Sequence, residues 1–255
     1  MANSQWLKAK KSMKINVHSY ESLGTFDGPG LRLVVFLQGC NFRCLYCANP
    51  DTIDLKGESK ATDLQHIVDM AVSEKPFFGK RGGVTFSGGE PTVQAEALIP
   101  LVKRLKEQGI HVCIDTNGSI WNEQVEELLS LVDLVLLDVK EHNAAQHLLL
   151  TERNNEQTLR TAEWLEKNGK PFWMRYVLVP GYSDREADIR ALGEHFGEFK
   201  MIERVEILPY HTLGVHKYEA MGQEYKLKGV KENTAEQLDE ARKLFEQYFK
   251  VVFVN

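Results

Sequence analysis

Residues 31–50, LRLVVFLQGCNFRCLYCANP, join an apolar run rich in branched side chains to a loop that carries three cysteines. The apolar run predicts a buried β-strand. Cys40, Cys44 and Cys47 follow with the spacing C-x3-C-x2-C. Thiolates are soft ligands, and three from one short loop can converge on a single metal centre. This stretch therefore predicts a strand with a metal-binding loop at its carboxyl end.

The same unit, an apolar strand followed by a polar segment, recurs along the chain with helical stretches between. The predicted strands are residues 31–37, 83–86, 110–114, 134–139, 172–179 and 205–208. The predicted helices are residues 61–74, 94–108, 122–131, 155–168, 184–196 and 234–249. Alternation repeated six times favours parallel strands with right-handed crossovers. We expect an α/β fold, a partial (β/α)6 barrel with short extra strands at residues 15–18 and 251–254, although periodicity alone also allows a doubly wound open sheet.

Length and composition are those of one globular domain. The chain has 255 residues and a formal net charge of −5, a poor match to general nucleic-acid binding, which requires a basic face. Its apolar runs are far shorter than the roughly 18 residues of a membrane span. The N-terminal lysines precede no apolar stretch typical of a signal peptide. We expect a cytoplasmic monomer with no nucleic-acid or membrane partner, a disordered lead-in at residues 1–12 and a single domain at 13–255.

Polar segments follow the predicted strands at the point where each strand ends. They read SGGEPT at residues 87–92, DTNG at 115–118, DVK at 138–140 and LPYH at 208–211. In a parallel barrel all these ends share one face, which is where barrel active sites are built. The sequence therefore predicts a functional site at this face.

The residues alone leave three alternatives for the cysteine loop. Structural zinc normally takes four protein ligands, and no fourth Cys or His lies within the segment. A [4Fe–4S] cluster held by three thiolates would leave one iron open to a further ligand. The thiols could also be reactive or incidental. The fourth cysteine, Cys113, lies in the third predicted strand and is expected to be a small buried hydrophobe without chemistry.

The cysteine spacing, with Tyr46 before the third cysteine and Ser87-Gly88-Gly89-Glu90 after the second strand, resembles the radical S-adenosylmethionine (SAM) superfamily. Within that superfamily, further segments are similar to those of the pyruvate formate-lyase activases. These segments are residues 27–30, 115–118, 136–140, 207–211, 217–218 and 220–225. The resemblance covers roughly residues 15–254. Residues 48–87 lack the extra cysteines that many activases of other glycyl-radical enzymes carry, which favours the shorter pyruvate formate-lyase type.

The resemblance implies a mechanism and a cofactor site. Cys40, Cys44 and Cys47 would ligate a [4Fe–4S] cluster whose open iron binds SAM. One electron would cleave SAM to methionine and a 5′-deoxyadenosyl radical, which takes hydrogen from a glycine of the partner, pyruvate formate-lyase. The residues implied in SAM binding are Tyr46, Cys47, Ala48, Gly88, Gly89, Glu90, Asp138, Val139, Lys140 and His211, with Arg175 as a further candidate.

The resemblance also implies a monovalent cation, a docking segment and an electron donor. The residues implied in cation binding are Asp115, Thr116, Leu136 and Asp138, with Thr116 and Leu136 contributing main-chain oxygens. Asp27 and Gly28 would hold the glycine loop of the partner, and a flavodoxin or ferredoxin would supply the electron. Ala48 departs from the family pattern, in which a His is frequent at this position, without removing a cluster ligand.

Plainer alternatives stay open at several positions. Residues 88–91 can form an ordinary strand-to-helix turn, Asp115 and Asp138 can be solvated acids, Arg175 can form an ion pair inside the barrel, and Asp27 can satisfy its own backbone. The histidines expected at the surface are His66, His147 and His195. Two other functions also stay open: an activase of a different glycyl-radical enzyme, and a non-catalytic zinc-binding module.

Overall fold

The computed structural model describes residues 13–57 and 59–255, so the predicted lead-in at residues 1–12 lies outside the described residues. The strands are β1 Lys14–Gly24, β2 Arg32–Leu37, β3 Lys60–Asp63, β4 Gly83–Gly88, β5 His111–Thr116, β6 Leu134–Asp138, β7 Phe172–Leu178, β8 Ile202–Pro209 and β9 Val252–Val254. The helices are α1 Leu64–Phe78, α2 Ala95–Glu107, α3 Glu123–Leu131, α4 Ala144–Thr151, α5 Glu156–Lys167, α6 Glu186–Phe196, α7 Val215–Ala220 and α8 Ala235–Phe245. Short 3₁₀ turns occupy Pro50–Thr52 and Pro91–Gln94.

The described strands form a single sheet in the order β3-β1-β2-β4-β5-β6-β7-β8-β9. The neighbouring strands β2, β4, β5, β6, β7 and β8 are parallel and, apart from β3 at the edge, follow one another in chain order. Consecutive order with right-handed crossovers places the helices on one side and curls the sheet. A doubly wound sheet would instead reverse its strand order at a switch point. The predicted partial (β/α)6 barrel is therefore confirmed, with β3 and β9 as the edges within the described part of the chain.

The amino-terminal region differs from the sequence prediction. The first extra strand runs over Lys14–Gly24, well beyond the predicted residues 15–18, because it pairs antiparallel with both β2 and β3. Residues 61–63, predicted as the start of a helix, belong to β3, and Ile15 lies opposite Thr62. The helix begins only at Leu64, where the Asp63 side chain accepts a hydrogen bond from the backbone of Gln65. The short helices α4 and α7 were also missed.

The side chains of the parallel strands alternate between two environments. On β5, Val112 and Ile114 pack with the helices in the main core, whereas Cys113 belongs to a separate apolar layer inside the barrel. That inner layer consists of Cys113, Leu134, Leu136 and Trp173. Asp115, two residues after Cys113, shares its side of β5 and lies closer to the carboxyl end. The interior of the barrel is thus apolar around Cys113 and charged around Asp115, closer to the carboxyl ends of the strands.

His147 on α4 is fully buried, so its predicted surface position is wrong. The ring lies 2.8 Å from the carbonyl oxygen of Arg153 through Nδ1, which must therefore donate. Its edge packs on Phe42 of the cysteine loop, at 5.5 Å between ring centroids. Burial lowers the pKa of His147. His66 is exposed, as expected, and His195 is half-buried and stacked on Phe196.

None of the helices in residues 13–57 and 59–255 combines the length and the apolar character that crossing a membrane would require.

Candidate cofactor site at the mouth of the barrel

A cavity of about 550 Å³ opens at the carboxyl ends of the parallel strands. This volume is in the range of ordinary small-molecule and cofactor sites. The predicted site residues that line it are Asp27, Cys40, Cys44, Tyr46, Cys47, Ala48, Gly88, Gly89, Asp115, Asp138, Lys140, Arg175 and His211. Segments that follow different strands therefore meet at one place, as the barrel geometry requires.

Backbone hydrogen bonds to two neighbouring segments hold the cysteine loop in place. On one side, the amides of Gly39 and Cys40 donate to the carbonyls of Thr52 and Ile53, at 2.7 and 3.0 Å. On the other side, the amides of Arg43 and Leu45 donate to the carbonyls of Thr151 and Leu150 at the end of α4, at 3.0 and 2.9 Å. Because the backbone is fixed from outside, the three thiols are presented to the cavity.

A third element, α7 with the glycine before it, covers the end of the cysteine loop. The Tyr218 hydroxyl donates to the carbonyl of Cys47 at 3.2 Å, and Lys217 Nζ reaches Asn49 Oδ1 at 2.8 Å. A Cβ atom at Gly214 would lie only 2.7 Å from the Cα of Ala48, so α7 requires glycine there to approach. Lys217 and Tyr218 therefore attach α7 to the end of the cysteine loop through hydrogen bonds.

All three loop thiols are free and half-buried. Burial raises the pKa of Cys40 to about 12 and raises the pKa of Cys44 and Cys47 as well. Neutral thiols are poor ligands, so iron binding must displace these protons. The nearby Lys140 ammonium opposes the burial penalty at each thiol, which favours the thiolates that a cluster requires.

The donor set fits a cluster better than a single ion. Across residues 13–57 and 59–255, no three His, Cys, Asp or Glu side chains are grouped so that they could hold one metal ion. A four-iron cubane takes each thiolate on a different iron, so its ligands stand further apart than those of one ion. Three thiols around a shared cavity, with room left beside them, match that arrangement.

Two glycines, the last residue of β4 and the residue after it, bring the end of this strand against the cysteine loop. A Cβ at Gly89 would lie 2.2 Å from the carbonyl oxygen of Gly39, and Gly88 has a φ of +111°. Side chains are excluded at the first position by contact and disfavoured at the second by backbone conformation. The backbone groups of both residues are thus exposed to the cavity beside the thiols.

Glu90 is fully engaged by the protein and does not line the cavity. Its carboxylate accepts hydrogen bonds from the hydroxyl and amide of Thr92, from the hydroxyl of Thr116 at 2.7 Å, and from the amide of Asn117 at 2.7 Å. The side chain therefore ties the turn after β4 to the turn after β5. Any contact between Glu90 and a ligand has to involve its backbone.

Asp138 and Lys140 form an ion pair on the cavity wall, with 2.6 Å between Nζ and Oδ2. The Lys140 ammonium also lies 5.8 Å from the ring centroid of Tyr46, whose buried hydroxyl has no hydrogen-bond partner among the described residues. Burial acts to lower the pKa of Lys140, but Asp138, Tyr46 and Cys44 together outweigh it and hold the pKa well above its ordinary value. Val139, between them, is buried in the main core, away from the cavity.

Arg175 reaches carboxylates of three different segments. Its guanidinium lies 3.2 Å from Asp115 Oδ2, 3.0 Å from Glu206 Oε2 and 3.7 Å from Asp27 Oδ1. Of the two predictions made for Arg175, the structure therefore contains the ion pair inside the barrel. Asp115 also accepts from Ser87 at 2.9 Å, so the alternative of a solvated strand-end acid is wrong for Asp115, as it is for the paired Asp138.

The two carboxylate oxygens of Asp115 differ in their hydrogen bonding. Oδ1 is buried and has no hydrogen-bond partner in the described part of the chain. Burial raises the pKa of Asp115 to about 7, and the neighbouring carboxylates of Asp138 and Asp27 add to the increase against the effect of Arg175. A cation beside Oδ1 would complete its coordination and hold the carboxylate ionised.

The predicted docking segment runs along the interior of the barrel. The carbonyl of Phe26 accepts from Arg175, that of Asp27 from the Thr85 hydroxyl at 2.6 Å, and that of Pro29 from Arg32 at 2.9 Å. The Asp27 carboxylate faces Arg175, so the alternative that it satisfies its own backbone is wrong. Gly28 packs beneath, next to Arg32 and Cys113, and does not line the cavity.

The remaining predicted residues are spread over the rim and the floor. His211 is exposed at the rim of the cavity. Thr116 and Leu136 are buried, and neither side chain lines the cavity. Cys113 is buried, as expected, and burial raises its pKa to about 12.

Sequence reasoning missed several residues that line the cavity. Ser87 and Asn117 stand inside quoted motifs but were given no role. Phe26 and Leu213 line the rim with 67% and 75% of their surface exposed. Ser87 and Asn117 could have been found from their position at strand ends, whereas no sequence signal distinguishes Phe26 and Leu213 from core residues.

Comparison with known proteins decides the family. Residues 34–192, more than half of the chain, match the radical SAM superfamily. The chain belongs to the radical SAM superfamily. The matched span contains the cysteine loop and the strand-end segments as far as Arg175, whereas His211 lies outside it.

Relatives of this radical SAM protein share a common description. It is 44% identical over 247 residues to the pyruvate formate-lyase-activating enzyme of Streptococcus mutans, a match that covers 92% of this chain and 94% of the relative. It is 43% identical over 241 residues to the pyruvate formate-lyase 1-activating enzyme of Escherichia coli, covering 93% and 98%. A solved domain of pyruvate-formate lyase-activating enzyme from Bacteroides vulgatus has a TM-score of 0.58 at 26% identity, covering 68% of this chain and 99% of that chain. The predicted resemblance is therefore confirmed, and the zinc-module alternative finds no support.

Proposed function

We propose that this radical SAM protein is an activase that installs a glycyl radical on pyruvate formate-lyase. The observation that carries the proposal is the convergence of three free thiols and four strand-end segments on one cavity of about 550 Å³. Relatives 43–44% identical over nearly their full length are named as activating enzymes of that protein.

Cys40, Cys44 and Cys47 would hold a [4Fe–4S] cluster. When bound, the cluster supplies the electron that cleaves the sulfonium bond of SAM and yields methionine and a 5′-deoxyadenosyl radical. The cavity wall excludes water from the reacting groups, since its floor is closed by the Arg175 ion pairs and by the inner apolar layer. No general base is assigned to the chain.

The walls offer groups that suit the polar parts of SAM. The backbone at Gly88, Gly89 and Glu90 can accept from an amino group, and the Lys140 ammonium can offset a carboxylate. The other predicted contacts are Tyr46, Cys47, Ala48, Asp138, Val139 and His211, with Arg175 acting from the floor. Val139 can contribute only backbone atoms, since its side chain packs outward.

A monovalent cation would be held by Asp115 and Asp138 with the main-chain oxygens of Thr116 and Leu136. The unpartnered Oδ1 of Asp115 supports this assignment, because a buried carboxylate oxygen requires a compensating group. Hard oxygen donors suit such an ion. Lys140 pairs with Asp138, whereas Asp115 shares Arg175 with Glu206 and Asp27.

The same proposal includes a protein partner, an electron donor and a cellular location. The glycine loop of pyruvate formate-lyase would enter the mouth of the barrel and be held at Asp27, with Gly28 packed beneath it. A flavodoxin or ferredoxin would deliver the electron, and the protein would act as a cytoplasmic monomer.

The test is electron paramagnetic resonance of the anaerobically reconstituted protein mixed with pyruvate formate-lyase, SAM and dithionite. We expect a glycyl-radical signal that requires all four components, and brown protein with iron and sulfide bound. A colourless zinc protein, or a cluster without SAM cleavage, would refute the proposal. SAM cleavage with radical formation only on a different glycyl-radical enzyme would support the activase and reassign its target.

A further inference from the structure

The outward face of α4 carries apolar side chains where a surface helix ordinarily has polar ones. Leu148 and Leu149 are 55% and 52% exposed, whereas His147, Leu150 and Thr151 on the opposite side are buried. An amphipathic helix turns its apolar stripe toward the core. Two adjacent exposed leucines outside that stripe leave an apolar area on the surface of the protein.

This face lies directly behind the cysteine loop. The last turn of α4 accepts the amides of Arg43 and Leu45 through the carbonyls of Thr151 and Leu150, at 3.0 and 2.9 Å. Leu150 also packs with Tyr46 in one apolar cluster. The thiols line the cavity, and the end of α4 is hydrogen-bonded to the backbone of the same loop.

Basic side chains lie around the carboxyl end of α4, where Glu152 follows the helix. Arg43 is exposed and donates to the carbonyls of Cys40 and Phe42 at 2.9 and 2.8 Å, so its charge lies on the cysteine loop itself. Arg153 follows α4, and Lys226 reaches Glu152 at 3.0 Å across the surface. Exposed Lys228 follows Leu227, which is buried in the same cluster as Leu150.

The charge of this region is opposite to that of the whole chain. Three basic side chains, Arg43, Arg153 and Lys226, lie around one acid, Glu152, whereas the formal net charge of the protein is −5. Arg43 and Arg153 both act on Glu152 and help to lower its pKa behind the larger effect of Lys226, which places the three cations around one carboxylate. We define the outer patch as Arg43, Leu148, Leu149, Arg153 and Lys226.

We propose that the outer patch is the docking surface for an acidic one-electron carrier protein, an inference that rests on the proposed function. The carrier loses one electron and the cluster gains it, and no bond forms or breaks at the patch. Charge complementarity selects an acidic partner and speeds its encounter, while the leucines supply a desolvated centre. The cavity side of the loop is reserved for SAM and the glycine loop, so the electron enters from α4.

The experiment compares two reductants on the same protein. Radical formation on pyruvate formate-lyase is driven either by reduced flavodoxin, an acidic carrier, or by dithionite, which needs no docking. The test variants are the pair Arg153→Glu with Lys226→Glu and the pair Leu148→Ser with Leu149→Ser. The matched controls are Lys103→Glu, in an exposed ion pair on α2, and Val72→Ser, an exposed apolar residue on α1. Thermal melting checks that every variant is folded.

We expect each test pair to lower the flavodoxin-driven rate at least tenfold and to leave the dithionite-driven rate within twofold of wild type. The controls should change neither rate, and the charge reversal should remove most of the salt dependence of the flavodoxin reaction. Equal rates with flavodoxin in wild type and variants would overturn the proposal. Loss of radical formation with both reductants, while dithionite still cleaves SAM without pyruvate formate-lyase, would assign the patch to that enzyme and also overturn it. Failure of the wild type with dithionite would refute the proposed function itself.

Discussion

Arg175 on β7 and Asp115 on β5 form an ion pair across the interior of the barrel, with 3.2 Å between Nη1 and Oδ2. The same guanidinium serves Glu206 on β8 and Asp27 before β2. One cation thus joins three strands and the predicted docking segment. It also neutralises part of a cluster of acids that burial alone would protonate.

Replacing Arg175 by Met should destabilise the protein by about 3–5 kcal/mol, because buried carboxylates would lose their shared partner. Urea unfolding of the variant and the wild type at neutral pH measures the difference. Arg190→Met is the control, since Arg190 pairs with Glu186 on the surface, where solvent screens the pair. Equal losses in the two variants would show that the interior pairs contribute no more than a surface pair.

Each of Cys40→Ser, Cys44→Ser and Cys47→Ser should deplete iron and abolish SAM cleavage, because each thiol would hold a different iron of the cluster. Iron and sulfide content after anaerobic reconstitution provides the measurement. Cys113→Ala, which removes the buried thiol of the inner layer, should retain both. Loss of the cluster in Cys113→Ala would overturn the three-ligand assignment.

Lys140→Met and His211→Ala should each weaken SAM binding about tenfold, or about 1.4 kcal/mol, by removing one polar contact from the cavity wall. Equilibrium titration with SAM gives the affinity, and the iron content should remain that of wild type. The effect of Lys140→Met should be the larger, since it also leaves Asp138 without its ion-pair partner. Unchanged affinity in both variants would contradict the placement of SAM.

Asp27→Ala should separate partner docking from cofactor chemistry. Cluster content and partner-free SAM cleavage should be retained, while the glycyl-radical yield on pyruvate formate-lyase falls about tenfold or more. Asp27 makes the longest of the Arg175 contacts, at 3.7 Å, so Asp115 and Glu206 keep the guanidinium in place. A normal radical yield would argue against docking at Asp27, and loss of both activities would indicate a folding defect.

Because His147 is buried, we expect the stability of the fold to decrease in acid. Its pKa is lowered by burial, so between this lowered value and the ordinary value near 6.5 the unfolded chain binds the proton and the folded chain does not. The free energy of unfolding therefore falls as the pH drops below about 6.5, because protonation of His147 favours the unfolded chain. Above this pH His147 does not change it. His147→Gln, which can still donate to the Arg153 carbonyl, should lose less stability between pH 7.5 and 5.5 than wild type in thermal melts. An identical loss in both proteins would contradict a neutral buried ring.

Much of the candidate site was accessible from the sequence because its parts are local. The cysteine spacing, Gly88-Gly89, and the acids that end β5 and β6 each lie within a few residues of a strand end. Parallel topology then brings these ends together. What each side chain contacts was less accessible: Glu90 was expected at the ligand and instead ties two turns together, since its partners Thr116 and Asn117 follow the next strand.

The sequence by itself determined the six strand–helix units, the three-thiol loop and the superfamily, because periodicity and motif spacing are properties of neighbouring residues. Tertiary structure alone decided the extent of β1 and the existence of β3, which depend on backbone pairing between residues 14–17 and 60–63. It also decided the burial of His147 and the partners of Arg175. These contacts form only when the sheet curls and brings distant segments together, and their energies depend on burial, which no local pattern specifies.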